Sequence, residues 1–244
     1  MYKQRLIIAL SGMIFGLTGC STSQHIGVDP STNTPSSQVQ ANNTESPNEA
    51  KDQVDSTKSD NAPFAAPKDN AASKSIVVYY SRTDENYSVG NITVGNTAKV
   101  AAEIAKQTGA DVFEIKPVKA YPVNYKECIE VAQQEKDDNA RPQIATTVEH
   151  FEQYRTVYLG YPIWWGDMPM VVYTFIEGQN FDGKTVIPFA THEGSGISGT
   201  PQKLRKVLPN ATVTDGVAII GSTAQNKPDE VSKKVVELIQ QAQN

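Results

Sequence analysis

Hydrophobic residues are distributed unevenly along the 244-residue chain. An apolar run occupies residues 6–17, and large apolar side chains are then sparse and isolated up to residue 73. From residue 74 onward, short β-branched and aromatic runs alternate with segments in which apolar residues recur at helical spacing. This alternation predicts buried strands followed by amphipathic helices in the second part of the chain.

The alternating part of the chain contains five strand–helix units. Predicted strands cover residues 75–80, 111–116, 156–160 and 184–190, with a fifth strand region over 211–214 and 217–220, and predicted helices cover 97–107, 125–138, 168–177, 201–208 and 228–242. Five such units predict an α/β fold, a doubly wound five-stranded parallel sheet with helices on both faces. Ligands bind such sheets at the carboxyl ends of the strands.

The N-terminal residues have the order of an export signal. Lys3 and Arg5 precede the apolar run, which is too short for a stable membrane-spanning helix. The run ends at residues 17–20 with the sequence LTGC, which resembles the bacterial lipobox. The resemblance implies that Cys20 is lipidated and that its acyl chains anchor the protein to a membrane. The alternative is an ordinary signal peptide that contains a cysteine by chance.

Residues 21–73 are rich in Ser, Thr, Asn, Asp, Gln and Pro. A segment of this composition cannot bury enough apolar surface to offset the entropy of ordering it, which predicts a disordered polar tether. The sequence therefore divides into a lipoprotein signal peptide over 1–20, a tether over 21–73 and a folded domain over 74–244.

Charge and cysteine content narrow the functional classes. The formal net charge of −5 provides no electrostatic footprint for a nucleic acid. The two cysteines, Cys20 and Cys128, and the three histidines show no metal-ligand spacing, so no metal site is predicted. Cys128 falls in a predicted helix and is interpreted as a small buried side chain.

A long loop, residues 81–97, connects the first predicted strand to the first predicted helix. The N-terminus of a helix attracts anions because its N–H groups and its dipole point outward there. The two ends of this loop contain hydroxyl and amide donors and a glycine that allows a ligand to approach the backbone closely. These residues are Ser81, Thr83, Gly95, Asn96 and Thr97. The sequence has neither GxxxxGK[ST] nor GxGxxG here, which favours a monophosphate over a nucleoside triphosphate or a dinucleotide. The alternative is a long loop with a helix cap at Asn96 or Thr97.

Both tryptophans of the chain lie in the loop after the third predicted strand. Two adjacent tryptophans in a loop cannot both be core residues, so at least one is expected to be exposed or to cover a flat ligand. The candidate lining residues of this loop are Pro162, Ile163, Trp164, Trp165 and Gly166. The alternative is a hydrophobic plug that closes the end of the sheet.

The loop after the fourth predicted strand, residues 191–199, contains three glycines. Thr191, Gly194, Ser195 and Gly196 could supply hydrogen-bond donors to a ligand at this end of the sheet. His192 is a candidate proton donor. The alternative is that His192 only hydrogen-bonds its own loop.

These loops together resemble the flavodoxin family. Without residues 84–94, the first loop gives S-R-T-G-N-T, which is similar to the [S/T]-x-T-G-x-T phosphate loop of flavodoxins and to a subfamily with an extended loop. The resemblance implies a sheet order of 2-1-3-4-5, an FMN cofactor held by all three loops, and Trp164 as the main stacking residue. The chain departs from the subfamily's S-R-T-G-E-N-Y at Asp84, which leaves the path of residues 84–94 open.

The resemblance implies an FMN-binding electron-transfer protein, tethered to the extracytoplasmic membrane surface through Cys20 and meeting redox partner proteins there. One alternative is an FMN-dependent NAD(P)H:quinone-type oxidoreductase, which requires one open face of the flavin. Another is a non-redox surface lipoprotein that has lost the flavin. Tryptophans on both flavin faces would favour the carrier, and one open face would favour the enzyme.

Overall fold

The computed structural model describes residues 74–242. The predicted signal peptide with its lipobox cysteine, Cys20, and the predicted tether over 21–73 lie outside these residues. Among the helices of residues 74–242, none combines the length and the apolar character needed to cross a membrane.

The described residues form eight strands, six α-helices and one short 3-10 helix, Phe151–Gln153. The strands are β1 (Lys74–Tyr79), β2 (Asp84–Asn86), β3 (Gly90–Ile92), β4 (Asp111–Glu114), β5 (Tyr154–Pro162), β6 (Thr185–His192), β7 (Thr212–Val213) and β8 (Val217–Ile220). The helices are α1 (Asn96–Thr108), α2 (Tyr125–Asp137), α3 (Met170–Glu177), α4 (Thr200–Val207), α5 (Gly221–Asn226) and α6 (Pro228–Gln240).

A parallel sheet has the order β4-β1-β5-β6-β7, with β8 also paired to β6. β7 pairs with the start of β6 and β8 with its end, so the two short strands share the fifth position. The gap between β7 and β8 lies beside Pro188 of β6. Pro188 has no N–H to donate to a neighbouring strand, and Gly216 packs against the Pro188 carbonyl. The predicted sheet and its order 2-1-3-4-5 are confirmed.

Alternate residues of the strands face opposite sides of the sheet. Val77 packs in a cluster with buried residues of α1 and α6, whereas Val78 packs in a second cluster with residues of α3 and α4. The sheet is therefore covered by helices on both faces, as the pattern predicts for a doubly wound fold. This architecture brings the loops after β1, β5 and β6 to one edge of the sheet.

Several strand ends differ from the sequence prediction by one or two residues, and three further differences affect the hairpin, an additional helix and the third helix. Residues 84–92 form a hairpin of β2 and β3 inside the first loop, and α5 precedes the last helix. The third helix begins at Met170 instead of residue 168, with Pro169 in an extended conformation at its N-cap. The residue before a proline is sterically disfavoured in the helical region, so Met168 cannot start the helix.

Candidate functional site

The three loops enclose a cavity of about 280 Å³ at the carboxyl ends of β1, β5 and β6, here called the central cavity. Its lining residues are Asn86, Tyr87, Asn96, Tyr125, Pro162, Ile163, Trp164, Trp165, Gly166, Thr191, His192, Glu193 and Ser195. The structure therefore brings the second predicted loop and parts of the other two together. The wall formed by Asn86, Tyr87 and Tyr125 was not predicted from the sequence.

The two ends of the first loop are in close contact beside the start of α1, where Gly95 packs against Ser81 and Arg82; this contact is called the Gly95 clasp. A Cβ atom at Gly95 would overlap the Ser81 hydroxyl oxygen and the Arg82 carbonyl, so no side chain fits at Gly95. The Ser81 hydroxyl accepts a hydrogen bond from the Ala98 N–H at 3.0 Å and thereby caps the helix. The first-turn N–H groups of Asn96 and Thr97 have no carbonyl partner within the helix, because an α-helix leaves its first donors free.

Two buried threonines connect the first and third loops. The Thr97 and Thr191 hydroxyl oxygens lie 2.8 Å apart, and both residues are almost fully buried. A hydroxyl pair can satisfy one donor and one acceptor without water. The pair therefore fixes the third loop against the start of α1.

The extended part of the first loop begins at Asp84, which has a φ of 64°. This left-handed region favours glycine, and aspartate is among the few residues that tolerate it, which explains how Asp84 replaces the expected glycine. The Thr83 hydroxyl donates to the Asp84 carboxylate at 3.1 Å. Thr83 does not line the central cavity, and its hydroxyl proton is directed to this carboxylate.

A buried arginine anchors the hairpin. The Arg82 guanidinium donates to the Glu85 carbonyl, and to the Pro122 and Val123 carbonyls at 2.8 Å each. In return, the Glu85 carboxylate accepts from the Tyr125 N–H at 2.8 Å, at the start of α2. These contacts fix the hairpin against α2 and so form one wall of the central cavity. The contacts with Pro122, Val123 and Tyr125 join residues 40 or 41 positions apart, which is why the sequence did not reveal them.

Trp165 and Gly166 are the two central residues of a tight turn in the second loop. Trp164 and Asp167 exchange backbone hydrogen bonds of 2.9 and 3.0 Å. The φ values of Trp165 and Gly166 are 51° and 70°, as a two-residue turn of type I′ requires. The turn places the two neighbouring indole rings in different environments.

The two tryptophans differ in how they are held. Trp164 is half-buried and makes edge contacts with Tyr80 and Tyr121, with ring centroids 5.5 and 4.9 Å apart. Trp165 is 49% exposed, and its indole N–H donates to the Ile129 carbonyl at 2.9 Å. The prediction that at least one of them is exposed is confirmed. Because its ring is fixed by two tyrosines, Trp164 offers the more rigid wall.

Side chains of α2 and α4 hold the same turn by its polar groups. The Lys136 ammonium donates to the Trp165 carbonyl at 2.5 Å. The Lys203 ammonium forms an ion pair of 2.6 Å with the buried Asp167 carboxylate. The same carboxylate accepts a hydrogen bond from the Tyr173 hydroxyl at 3.0 Å. Lys136, Lys203 and Tyr173 were not predicted from the sequence; Asp167, which lies in the predicted second loop, was the available indication.

His192 organises the third loop through its ring. Its Nδ1 accepts from the backbone N–H groups of Gly194 and Gly196 at 2.9 and 3.1 Å. Burial lowers the pKa of His192, which favours the neutral ring with its proton on Nε2. His192 thus hydrogen-bonds its own loop, as the alternative interpretation held, and its Nε2–H remains as a hydrogen-bond donor.

Glu193 and Asn96 meet at the start of α5. A Cβ atom at Gly221 would overlap the Asn96 amide and the Glu193 carboxylate. The carboxylate accepts from the Ser222 N–H at 3.0 Å, and burial raises the pKa of Glu193. Among the described residues that line the central cavity, none is Lys or Arg. An anion there would be bound by N–H groups and hydroxyls.

Comparisons with known proteins point to one family. The family model for flavodoxin matches residues 87–236. A candidate flavoprotein of Bacteroides uniformis ATCC 8492 is 30% identical with a TM-score of 0.56, and the alignment covers 67% of this chain and 97% of that one. A candidate flavoprotein of Bacteroides eggerthii DSM 20697 is 29% identical with a TM-score of 0.55, covering 68% and 98%.

A flavoprotein of Lactobacillus acidophilus NCFM, solved in complex with FMN, has the same fold. It is 20% identical with a TM-score of 0.50, and the alignment covers 64% of this chain and 98% of that one. No curated protein matches the chain.

Proposed function

The chain belongs to the flavodoxin family, and on that premise we propose that its described domain binds FMN in the central cavity and transfers electrons. The observation that carries this proposal is the Gly95 clasp at the start of α1. Gly95 permits the close approach of Ser81, and the free N–H groups of Asn96 and Thr97 lie beside a cavity with aromatic walls. Such a helix start suits a phosphate, and the indole rings suit a flat ring system.

The residues of the site fit FMN on chemical grounds. The start of α1 would hold the phosphate through its free N–H groups, and the second loop would contact the flavin ring with an indole and with backbone groups. The third loop would contribute Thr191 and the N–H group of Ser195, since the N–H groups of Gly194 and Gly196 already donate to His192 Nδ1. When bound, FMN supplies a group that accepts and releases electrons. The protein's own residues bind it, orient it and limit its contact with water.

A second candidate function is supported by the distribution of the aromatic residues. Both tryptophans come from the second loop, and residues 191–199 contain no aromatic side chain apart from the His192 imidazole. A flavin between the second and third loops would therefore meet an indole from one loop and no aromatic ring from the other, with Tyr87 and Tyr125 in the wall formed by the hairpin and α2. One accessible face favours a small substrate, as in an FMN-dependent NAD(P)H:quinone-type oxidoreductase.

We also propose that the domain works at a membrane surface outside the cytoplasm. Support comes from the order of Lys3, Arg5, the apolar run and the LTGC sequence ending at Cys20. Lipidation at Cys20 would attach the chain to the membrane, and residues 21–73 would let the domain reach redox partner proteins there.

The decisive experiment is a titration of the full chain with FMN, followed by flavin absorbance and by tryptophan fluorescence. Binding below about 1 μM with quenching of the indole emission supports the proposed function. Without binding in this range, the third hypothesis, a non-redox surface lipoprotein that has lost the flavin, takes precedence. Reduction of a quinone by NADH with the loaded protein would favour the enzyme over the carrier.

A further inference from the structure

A second cavity of about 200 Å³ adjoins the central cavity. The two share Asn86, Tyr125, Ile163, Trp164 and Trp165 as lining residues. The second cavity has further walls of its own, formed by Arg82 and by the α2 residues Cys128, Ile129 and Ala132. It is called the Arg82 cavity below.

The charge of Arg82 is not neutralised by a neighbouring side chain. Arg82 is only 9% exposed, and within residues 74–242 no carboxylate lies at ion-pair distance from it. Buried charges in proteins are usually paired, because removing an ion from water is costly. The carbonyls of Glu85, Pro122 and Val123 satisfy part of its hydrogen-bonding capacity but carry no full negative charge. The cavity therefore attracts an anionic group.

The other walls are apolar or aromatic. Ile129, Ala132 and Ile163 provide aliphatic surface, and the two indoles provide flat surface. Cys128 is 2% exposed, and burial raises the pKa of its thiol although the neighbouring Arg82 opposes this shift, which favours the neutral thiol. A site of this composition binds an apolar ring and orients it by one polar group.

We propose that the Arg82 cavity binds a single-ring aromatic compound that carries one anionic oxygen group, with that group directed to the Arg82 guanidinium. The size agrees, since an apolar cavity of about 150 Å³ is sufficient for benzene and this one is about 200 Å³. The shared tryptophans place such a ligand next to the proposed flavin. A role for the ligand as electron donor or acceptor rests on the proposed function, whereas its binding does not.

The test uses benzoate and its uncharged counterpart benzamide as probes of the full chain, with and without FMN. Trp164 and Trp165 are the only tryptophans of the chain, so their two indole N–H resonances report on the shared wall. We expect benzoate to shift them in both forms and to bind about tenfold more tightly than benzamide, because a charged partner strengthens the contact with Arg82.

Three variants localise the binding. Ala132→Leu fills the Arg82 cavity and is expected to abolish benzoate binding while FMN still binds. Ala140→Leu is the matched control, because Ala140 lines a separate cavity, and it should leave the benzoate affinity unchanged. Arg82→Gln should remove the preference for benzoate over benzamide. The two affinities are compared only if this variant still shows a cooperative thermal unfolding transition. Ala132→Leu keeps the test decisive if Arg82→Gln does not fold.

The proposal is overturned if neither indole resonance moves, if benzoate and benzamide bind equally, or if Ala132→Leu binds benzoate like the unaltered protein. It is also overturned if FMN displaces benzoate, because the cavity would then be part of the flavin site. Failure to bind FMN refutes the proposed function but not the Arg82 cavity as a binding site, because benzoate is also titrated into the chain without FMN.

Discussion

The Thr97 and Thr191 hydroxyl groups lie 2.8 Å apart in the protein interior and connect the start of the first helix to the end of the fourth strand position, β6. Removing one hydroxyl leaves the other without a partner in a buried position. We expect Thr97→Val to lower the free energy of unfolding by about 1–3 kcal/mol, which urea denaturation would measure.

The double variant, Thr97→Val with Thr191→Val, separates stability from ligand binding. Removing both hydroxyls leaves no unsatisfied polar group, so much of the lost stability should return. The affinity for FMN should stay about tenfold reduced, because Thr191 lines the central cavity and Thr97 lies at the start of α1. Additive losses of stability in the double variant would contradict the coupling of the two hydroxyls.

The clasp at Gly95 predicts that even a methyl group is harmful there. Gly95→Ala would overlap the Ser81 hydroxyl and the Arg82 carbonyl, and we expect a loss of about 1–3 kcal/mol in stability together with the loss of FMN binding. Gly183→Ala is the matched control. Gly183 has a φ of 70° with open space around it. The Gly183→Ala variant should therefore have a strained backbone but should bind FMN normally.

Replacing each tryptophan tests which indole contacts the flavin. Trp164→Ala is expected to weaken FMN binding by about tenfold or more and to change the flavin absorbance spectrum, because a rigid ring is lost. Trp164→Phe, which keeps a ring, should retain part of the affinity. An unchanged affinity and spectrum in Trp164→Ala, with a loss in Trp165→Ala, would assign the stacking to Trp165 instead.

The contacts of His192 predict a pH dependence of stability. Burial lowers its pKa in the folded state below the ordinary value of about 6.5, so the unfolded chain binds a proton more readily. Stability should be full above about pH 6.5 and should decrease as the pH falls below it, as the proton competes with the N–H groups at Nδ1. His192→Asn should flatten this part of the unfolding curve between about pH 7 and pH 5. An identical pH profile in the variant would show that another group is responsible.

The proposed anchor predicts the cellular distribution of a single variant. With Cys20→Ala, the chain lacks the only candidate lipidation site of the LTGC sequence, so it should leave the membrane fraction. Cys128→Ala is the control, since that thiol is buried in the domain and should not affect the distribution. A Cys20→Ala protein that remains wholly in the membrane fraction would refute the lipobox interpretation.

The sequence predicted the sheet better than the loops, and the reason is physical. Runs such as residues 75–80 are buried on both faces, so their composition alone identifies them as strands. The hairpin of β2 and β3 is polar and exposed, and its course depends on Asp84 in a left-handed conformation. Helix α5, with six residues, is too short to show a helical repeat of apolar residues.

The loops of the site could be located from the sequence, but the contacts that shape them could not. Of the predicted residues, all five of the second loop line the central cavity, as do Thr191, His192 and Ser195 of the third loop but only Asn96 of the first. The groups that fix these loops, such as Arg82, Lys136 and Lys203, act on backbone carbonyls or carboxylates far away in the chain. No spacing in the sequence reports such a contact, because a backbone carbonyl has no characteristic side chain and a single carboxylate such as Asp167 does not identify its distant partner.

The interruption of the fifth strand position beside Pro188 has a consequence for self-association. One edge of the sheet is divided between β7 with two residues and β8 with four, and the opposite edge strand, β4, also has four. A neighbouring chain can extend a sheet only where it finds a long row of unpaired N–H and C=O groups. Both edges of this sheet are too short to offer one, so the fold resists edge-to-edge aggregation.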